Sequence, residues 1–326
     1  MPMLRLLAAL GWCASFPAFA FDLQGHRGAR GLAPENTLPA FAAALSLGVT
    51  TLELDVGVTR DGVVVIAHDR ALNPDLTRGP DGEWLAAPGP AIHALAHAEL
   101  LRYDVGKLNP SREYAKRYPM QRPADGARIP TLAELFALVH RSGNTKVRFN
   151  IETKTTPLAP GETLPPGDFA RSVIAVVRSR GMAARSTIQS FDWRTLKVVQ
   201  AQAPEIATVY LSAQQSFLDN ILAGSPAGSP WTAGVQFAAH GSVPRMVKAA
   251  GGTIWSPYFG DLDAAQFAEA KRLGLRVIVW TVSDPRHIAA MLDLGVDGII
   301  SDRPDLVREE MQRRGMALPA ATPIVP

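Results

Sequence analysis

The stretch LELDVGVTRDGVVVIAHD, residues 52–69, reads as a strand, a tight turn and a returning strand, with two acids where a buried strand should be apolar. Glu53 and Asp55 are two residues apart, so in a strand they point to one face. Two carboxylates on one buried face repel each other and lose hydration. They must raise each other's pKa or share a cation. The Asp61-Gly62 pair is a turn signal, and it sends the chain back through VVVIAHD to His68 and Asp69.

Outward from this stretch, short apolar runs alternate with helical patterns. Strands are expected near residues 23–28, 51–58, 147–153, 186–191, 207–211, 253–257, 276–282 and 298–301. Between them lie amphipathic segments such as PAFAAALSLG, TLAELFALVHRSG, DFARSVIAVVRSRG, WRTLKVVQAQ, VPRMVKAAGG, DAAQFAEAKRLG and PRHIAAMLDLG, several ending in the Gly that stops a helix. Eight strand–helix units in sequence predict an α/β fold of the (β/α)8 TIM-barrel type. A doubly wound open sheet fits less well, because the Gly-rich nucleotide turn is missing. Residues 70–130 break the rhythm with many Pro and Gly and no clean period. They are expected to form an insertion after the second strand, lying over the barrel mouth. The barrel domain is expected over 21–315, and residues 316–326 are expected to fray.

Of the 326 residues, 47% are hydrophobic and 19% charged, which suits a packed globular chain. The formal charge of +3, with no dense Lys/Arg run, argues against a nucleic-acid partner. MPMLRLLAALGWCASFPAFA has an early Arg5, an apolar centre and a final Ala18-Phe19-Ala20, the pattern of a secretory signal peptide cleaved after Ala20. Its apolar run is shorter than the ~20 residues that span a bilayer. An exported, periplasmic protein with no stable membrane insertion is expected. Cys13, the one cysteine, would leave with the leader, so the mature chain would have no disulfide, thiolate metal site or cysteine nucleophile.

Barrel enzymes place their sites at the carboxyl ends of the strands. There the first strand runs into His26-Arg27-Gly28, the second carries Glu53 and Asp55, and the third, VRFNIETK, delivers Glu152 and Lys154. Three inward carboxylates need a compensating positive centre. An all-oxygen set suits one hard divalent cation, Mg2+ or Ca2+; zinc is less favoured, although His26 and His68 stand close by. The competing reading is a structural ion-pair network with Arg27 and Lys154. His26 and His68 beside these acids suit phosphodiester cleavage, one ring taking a proton and the other giving one. The cation, Arg27 and Lys154 would hold the phosphate oxygens. His93, His97, His140, His240 and His287 read as ordinary core or surface groups.

With these residues in view, the chain closely resembles the glycerophosphodiester phosphodiesterase family. The resemblance is carried in family order by HRGARGLAPENT (26–37), ELDVGVTRDGVVVIAHD (53–69), IETK (151–154), VWTV (279–282) and DGIISDRP (297–304). It implies a barrel with an insertion after the second strand. It also implies His26 and His68 as the catalytic acid–base pair and Glu53, Asp55 and Glu152 as ligands of a divalent metal. Arg27 and Lys154 would then lie on the phosphate, and Trp280 on the glycerol side. Glu35 and Asn36 would brace the first loop by capping the helix that begins near Thr37. Asp302 closes the barrel and reads equally well as structural. The chain departs from the family after WTV, where Ser283 stands in place of the usual Asn.

The implied reaction converts a small glycerophosphodiester, such as glycerophosphocholine, to sn-glycerol 3-phosphate and an alcohol. Two alternatives remain: a phospholipase D-type enzyme on lysophospholipids, and an exported phosphodiester-binding protein without turnover. The first needs an apolar groove, for which the insertion offers Trp84, Tyr103, Tyr114 and Tyr118. The sequence is silent on oligomeric state.

Overall fold

The computed structural model describes residues 21–326, so the expected leader and Cys13 lie outside the described residues. In chain order the strands are β1 (Asp22–Gly25), β2 (Thr51–Val58), β3 (Val64–Ile66), β4 (Arg148–Thr153), β5 (Ser186–Ser190), β6 (Ala207–Ser212), β7 (Gln214–Gln215), β8 (Leu218–Asp219), β9 (Ile254–Pro257), β10 (Arg276–Val279) and β11 (Gly298–Ser301). Eight of them, β1, β2, β4, β5, β6, β9, β10 and β11, pair in parallel, and β11 returns to β1 to close a barrel. All eight expected strands are present. The first stops at Gly25, because Arg27 and Gly28 turn into the left-handed region with φ of 49° and 86°. The seventh stops at Val279.

The helices are α1 (Leu38–Leu47), α2 (His97–Leu100), α3 (Glu113–Lys116), α4 (Leu132–Arg141), α5 (Pro166–Ser179), α6 (Trp193–Gln202), α7 (Phe237–His240), α8 (Val243–Ala249), α9 (Ala264–Arg272), α10 (Pro285–Leu294) and α11 (Pro304–Arg313). Their apolar faces bury the outer surface of the barrel, where Phe41, Leu52, Leu54, Phe136, Phe149, Ile151 and Phe169 are fully buried. Caps set their ends. Thr37 accepts from the Ala40 N–H at the start of α1, and Gly48 ends it in the left-handed region. Thr131 and Glu134 form a capping box on α4. The hairpin β7–β8 was not foreseen. Among the described residues no helix is long and apolar enough to cross a membrane.

The barrel interior is divided. Val209, Ile254, Ile278 and Ile300, from β6, β9, β10 and β11, form one apolar cluster. The other half is polar and connected. Asn150 donates to Gln24 at 2.9 Å and to Gln189 at 2.8 Å, and Gln24 donates to Asp22 at 3.1 Å. Buried amides persist only when partnered, and this column satisfies them in series up to the mouth.

Residues 70–130 contain α2, α3 and a small core of Leu72, Ile92, Leu100, Val105 and Ile129 packed on Val65 of β3. The segment expected to fray after Gly315 makes specific contacts instead. Thr322 N–H donates to the Leu45 carbonyl at 2.8 Å, Asn144 Nδ2 donates to Thr322 at 3.0 Å, and Arg308 donates to the Pro319 carbonyl at 2.8 Å.

Candidate active site

Register assembles the acids. On the parallel pair β2–β4, Asp55 lies beside Glu152, and on β4–β5, Glu152 lies beside Gln189. Neighbours in register share a face, so the three point together into the barrel mouth, with Glu53 one pleat below. One carboxylate oxygen each from Glu53, Asp55 and Glu152 falls within a set spanning no more than 4.8 Å. At that spacing each ionised pair repels by about 3–4 kcal/mol even with an effective dielectric near 20.

The surroundings divide the acids into two kinds. Burial and the Asp55 charge push Glu53 well above the usual carboxylate range, although the Arg27 backbone N–H and Gln189 Nε2 donate to it at 2.8 and 2.7 Å. Burial and Asp55 likewise raise Glu152 to about 7, against the pull of Lys154, whose Nζ donates to it at 2.7 Å. Burial also opposes ionisation of Asp55, but Arg27, His68 and Lys154 outweigh it and hold Asp55 well below its ordinary value. Its Oδ2 accepts from Asn36 at 2.9 Å, with Arg27 Nε at 3.2 Å, while its buried Oδ1 receives no hydrogen bond.

These residues fit one divalent cation. Were the carboxylates of Glu35, Glu53, Asp55, Glu152 and Asp302 all ionised against Arg27, Arg30 and Lys154, two negative charges would be left over, which either protons on Glu53 and Glu152 or a divalent cation can compensate. The donor set is oxygen only, and Asp55 keeps one buried oxygen, Oδ1, that receives no hydrogen bond. The ion-pair reading is also realised, since Arg27 and Lys154 both contact Asp55, but it leaves that excess in place.

His26 lies in the β1–α1 loop. Its Nδ1 is 2.6 Å from Asp302 Oδ1 and its Nε2 is 3.9 Å from Glu53 Oε2. Burial, with Arg30 nearby, pushes its pKa down to about 4 despite Asp302. His68 follows β3, its Nδ1 2.9 Å from Asp69 Oδ1, and Asn73 Nδ2 donates to Asp69 at 2.7 Å. Burial, then Arg27 and Lys154, lowers the His68 pKa. Both rings are thus neutral near pH 7.

A cavity of about 410 Å³ brings together His26, Arg27, Glu53, His68, Glu152 and Lys154, with Trp280 on its wall. Asp55 lies beneath it, fully buried. Seven of the eight expected site residues therefore line one cavity, and none of the other five histidines does. Trp280 donates through Nε1 to the Ser256 carbonyl at 3.0 Å and presents its ring edge-to-face to Phe191, 5.2 Å between centroids. Phe191, Phe217 and Trp231 extend this aromatic wall, and sequence reasoning missed them.

Two expectations change. Glu35 and Asn36 do not cap α1, a role that Thr37 fills. Glu35 instead pairs with Arg27 and accepts from Tyr114, and Asn36 donates to Asp55. Arg27, expected on a phosphate, has its guanidinium already engaged by Glu35 and Asp55. Of the insertion's aromatics, Tyr114 hydrogen-bonds Arg30, Tyr118 lies against the same guanidinium, and Trp84 stacks on Arg78; none of these three lines the cavity. Sequence reasoning also missed Arg30, Gln189 and the contact of Asp302 with His26. An early hint of Arg30 lay in HRGARG, whose two arginines flank one tight turn.

Residues 26–306 match the glycerophosphoryl diester phosphodiesterase family. A glycerophosphodiester phosphodiesterase of Caldanaerobacter subterraneus is 26% identical over 290 residues, covering 89% of this chain and 97% of its own. A Silicibacter pomeroyi crystal structure assigned as a glycerophosphoryl diester phosphodiesterase has a TM-score of 0.81 at 35% identity, covering 93% of this chain and 96% of that one. An Oleispira antarctica phosphodiesterase, solved in complex with the product sn-glycerol-3-phosphate, shares the fold at a TM-score of 0.63 and 23% identity, covering 89% and 96%. With the barrel, the acidic triad and the match over nearly the whole described chain, the protein belongs to the glycerophosphoryl diester phosphodiesterase family and is a phosphoric diester hydrolase.

Proposed function

We propose that this cavity hydrolyses small glycerophosphodiesters, glycerophosphocholine among them, to sn-glycerol 3-phosphate and the free alcohol, with His26 and His68 as the acid–base pair. One observation carries the reading. Two imidazoles, each with Nδ1 against a carboxylate, flank a buried all-oxygen cation site in one cavity. Product binding by the Oleispira relative supports the glycerol phosphate arm.

A Mg2+ or Ca2+ ion held by Glu53, Asp55 and Glu152 would supply charge stabilisation for the phosphate oxygens as negative charge builds. The chain's own residues do the rest. Lys154 Nζ, between Glu152 and Asp55, is placed to donate to a phosphate oxygen above them. Arg27 contributes its charge while bracing Asp55. One neutral imidazole removes the proton from the attacking oxygen through Nε2. The other enters the step as the imidazolium, its second proton favoured by the bound phosphate anion, and delivers that proton from Nε2 to the oxygen that leaves phosphorus, so one P–O bond forms as another breaks. Trp280 and Phe191 give the glycerol carbons an apolar wall and exclude water there.

The test is a substrate panel on the mature protein: glycerophosphocholine, glycerophosphoethanolamine and lysophosphatidylcholine, assayed with chelator and after adding back Mg2+, Ca2+ or Zn2+. Expected is release of glycerol 3-phosphate from the first two, lost on chelation and restored by Mg2+ or Ca2+. Turnover that survives thorough chelation would overturn the metal assignment, and preference for the acylated substrate would favour the lysophospholipid reading. The commitment of Tyr114 and Tyr118 to Arg30 argues against that reading. We further propose export with cleavage after Ala20, which peptide mass mapping of the periplasmic fraction tests directly.

A further inference from the structure

We propose that Asp302 is the positioning residue for His26, and that the insertion holds Asp302 in place through Arg30 and Tyr114. The inference rests on the reading of His26 as a reacting imidazole given above. Asp302 Oδ1 lies 2.6 Å from His26 Nδ1, and the two side chains are only 13% and 11% exposed. A carboxylate can only accept, so this contact places the proton on Nδ1 and leaves Nε2 with its lone pair free. That nitrogen is the one turned toward the acidic triad, 3.9 Å from Glu53. Arg30 Nη2 also stands 3.2 Å from Nδ1, which on its own would favour the opposite tautomer. The contact to the ionised carboxylate is shorter and charge-assisted, and a bare lone pair facing it at 2.6 Å would be strongly repelled. The Nδ1–H form wins.

Asp302 is itself fixed from two sides. Arg30 donates to it in fork geometry, Nε to Oδ1 at 2.9 Å and Nη2 to Oδ2 at 3.1 Å. The Asp302 backbone N–H donates to Ser283 Oγ at 3.0 Å, which gives a use to the residue that departs from the family pattern. Arg30 is then gripped by the insertion. Its Nη1 donates to Tyr114 Oη at 3.0 Å, the Tyr118 ring lies 4.9 Å from its guanidinium carbon, and Gln121 donates to its carbonyl at 2.8 Å. Tyr114 donates in turn to Glu35, the partner of Arg27. A continuous chain of contacts therefore runs from α3 in the insertion to the ring of His26. The second imidazole has a looser arrangement, since Asp69 is 41% exposed and is its immediate neighbour in sequence.

The experiment uses the full mature chain loaded with Mg2+ and compares Asp302→Asn, Asp302→Glu and Tyr114→Phe with the parent. For Asp302→Asn, kcat should fall at least about 10²-fold, the lower end of what a positioned acid–base group contributes. KM should stay within about threefold and calorimetric Mg2+ affinity should match the parent. 15N-histidine NMR should show His26 leaving the Nδ1–H tautomer. Asp302→Glu should recover part of kcat, and Tyr114→Phe should lower kcat roughly tenfold with KM kept, the pattern of a lost orienting contact. The proposal is overturned if Asp302→Asn keeps kcat within about threefold, or if its activity falls with Mg2+ affinity while the His26 tautomer stays put. Should Asp302→Asn not fold, an unchanged kcat in Tyr114→Phe overturns the part assigned to the insertion. His26→Ala separates this idea from its premise: full turnover there defeats the site reading itself, whereas a dead His26→Ala beside an active Asp302→Asn defeats only the present inference.

Discussion

Asp55 concentrates the chemistry of the site in one side chain. It is held ionised by Arg27 and Lys154 although fully buried, and Asn36 fixes one of its oxygens while the other receives no hydrogen bond. Gln189 does for Glu53 what Asn36 does for Asp55. Partners that orient ligating carboxylates govern cation affinity by roughly 10–100-fold, so Asn36→Ala and Gln189→Leu should each weaken Mg2+ binding on that scale in calorimetry. Binding within twofold of the parent in both variants would show that the carboxylates orient themselves. Protonation sharpens the argument. Glu53 and Glu152 have raised pKa values, so the cation-free native state binds more protons than the unfolded chain above the ordinary glutamate range. Below about 6.5 the lowered pKa values of His26 and His68 work the other way, so stability of chelated protein should fall chiefly as pH rises above about 6.5, and added cation should reverse the trend while releasing protons. A flat pH–stability profile after chelation would contradict it. The acids were legible in sequence because an i, i+2 pair in an apolar run violates burial locally. Asn36, Gln189 and Asp302 were not, because each acts on a partner 19, 136 or 276 residues away.

At the scale of the element, the β2–β3 hairpin decides whether His68 reaches the acids at all. β2 runs past the barrel rim, and Val56–Val58 pair antiparallel with Val64–Ile66. The turn between them closes on Thr59, whose N–H donates to the Val63 carbonyl at 3.0 Å while its hydroxyl accepts from the Val63 N–H at 2.9 Å. Gly62 takes φ of 82°, and no atom would lie within 4 Å of an added Cβ, so the cost of a side chain there is conformational alone. Gly62→Ala should destabilise the protein by about 1–2 kcal/mol, read from a urea midpoint, with kcat little changed in the remaining folded fraction. A loss below about 0.3 kcal/mol would mean that the turn relaxes to another type. Gly28 contrasts with it. Its φ is 86° and a Cβ would sit 2.7 Å from the Ala40 backbone, so substitution there should disturb the loop that carries His26. Apolar runs and the Asp-Gly signal made this hairpin and the barrel strands readable. The insertion was readable only as a break in period, because its core gathers single residues from bridges and short turns.

Across the whole molecule, chemistry and support occupy opposite ends of the barrel. The site lies at the carboxyl ends of the strands, whereas the C-terminal segment crosses the other end, over the loops that precede β2 and β4. There Gly48 is so close to the Pro319 carbonyl that a Cβ would come within 2.7 Å. Arg308 of α11 ties the Gly48 and Pro319 carbonyls together at 2.9 and 2.8 Å, and Ile324 packs onto the main core. Composition alone suggested fraying, since MALPAATPIVP has no period and three prolines. What composition could not show is that prolines in an extended segment lose little entropy on docking, so a few hydrogen bonds and one half-buried isoleucine suffice to hold it. Ending the chain at Gly315 removes these contacts and uncovers the bottom of β2 and β4 without touching any residue of the cavity. Losing one half-buried isoleucine and the hydrogen bonds around it corresponds to about 2–3 kcal/mol, so the melting temperature should drop by roughly 5 °C. KM and kcat at 25 °C should match the parent, because the strands carry the acids through register and not through their amino-terminal loops. A truncated chain that melts normally would show the segment only resting on the barrel, and one that loses Mg2+ affinity would reveal mechanical coupling down the polar column from Asp22 through Gln24, Asn150 and Gln189 to Glu53.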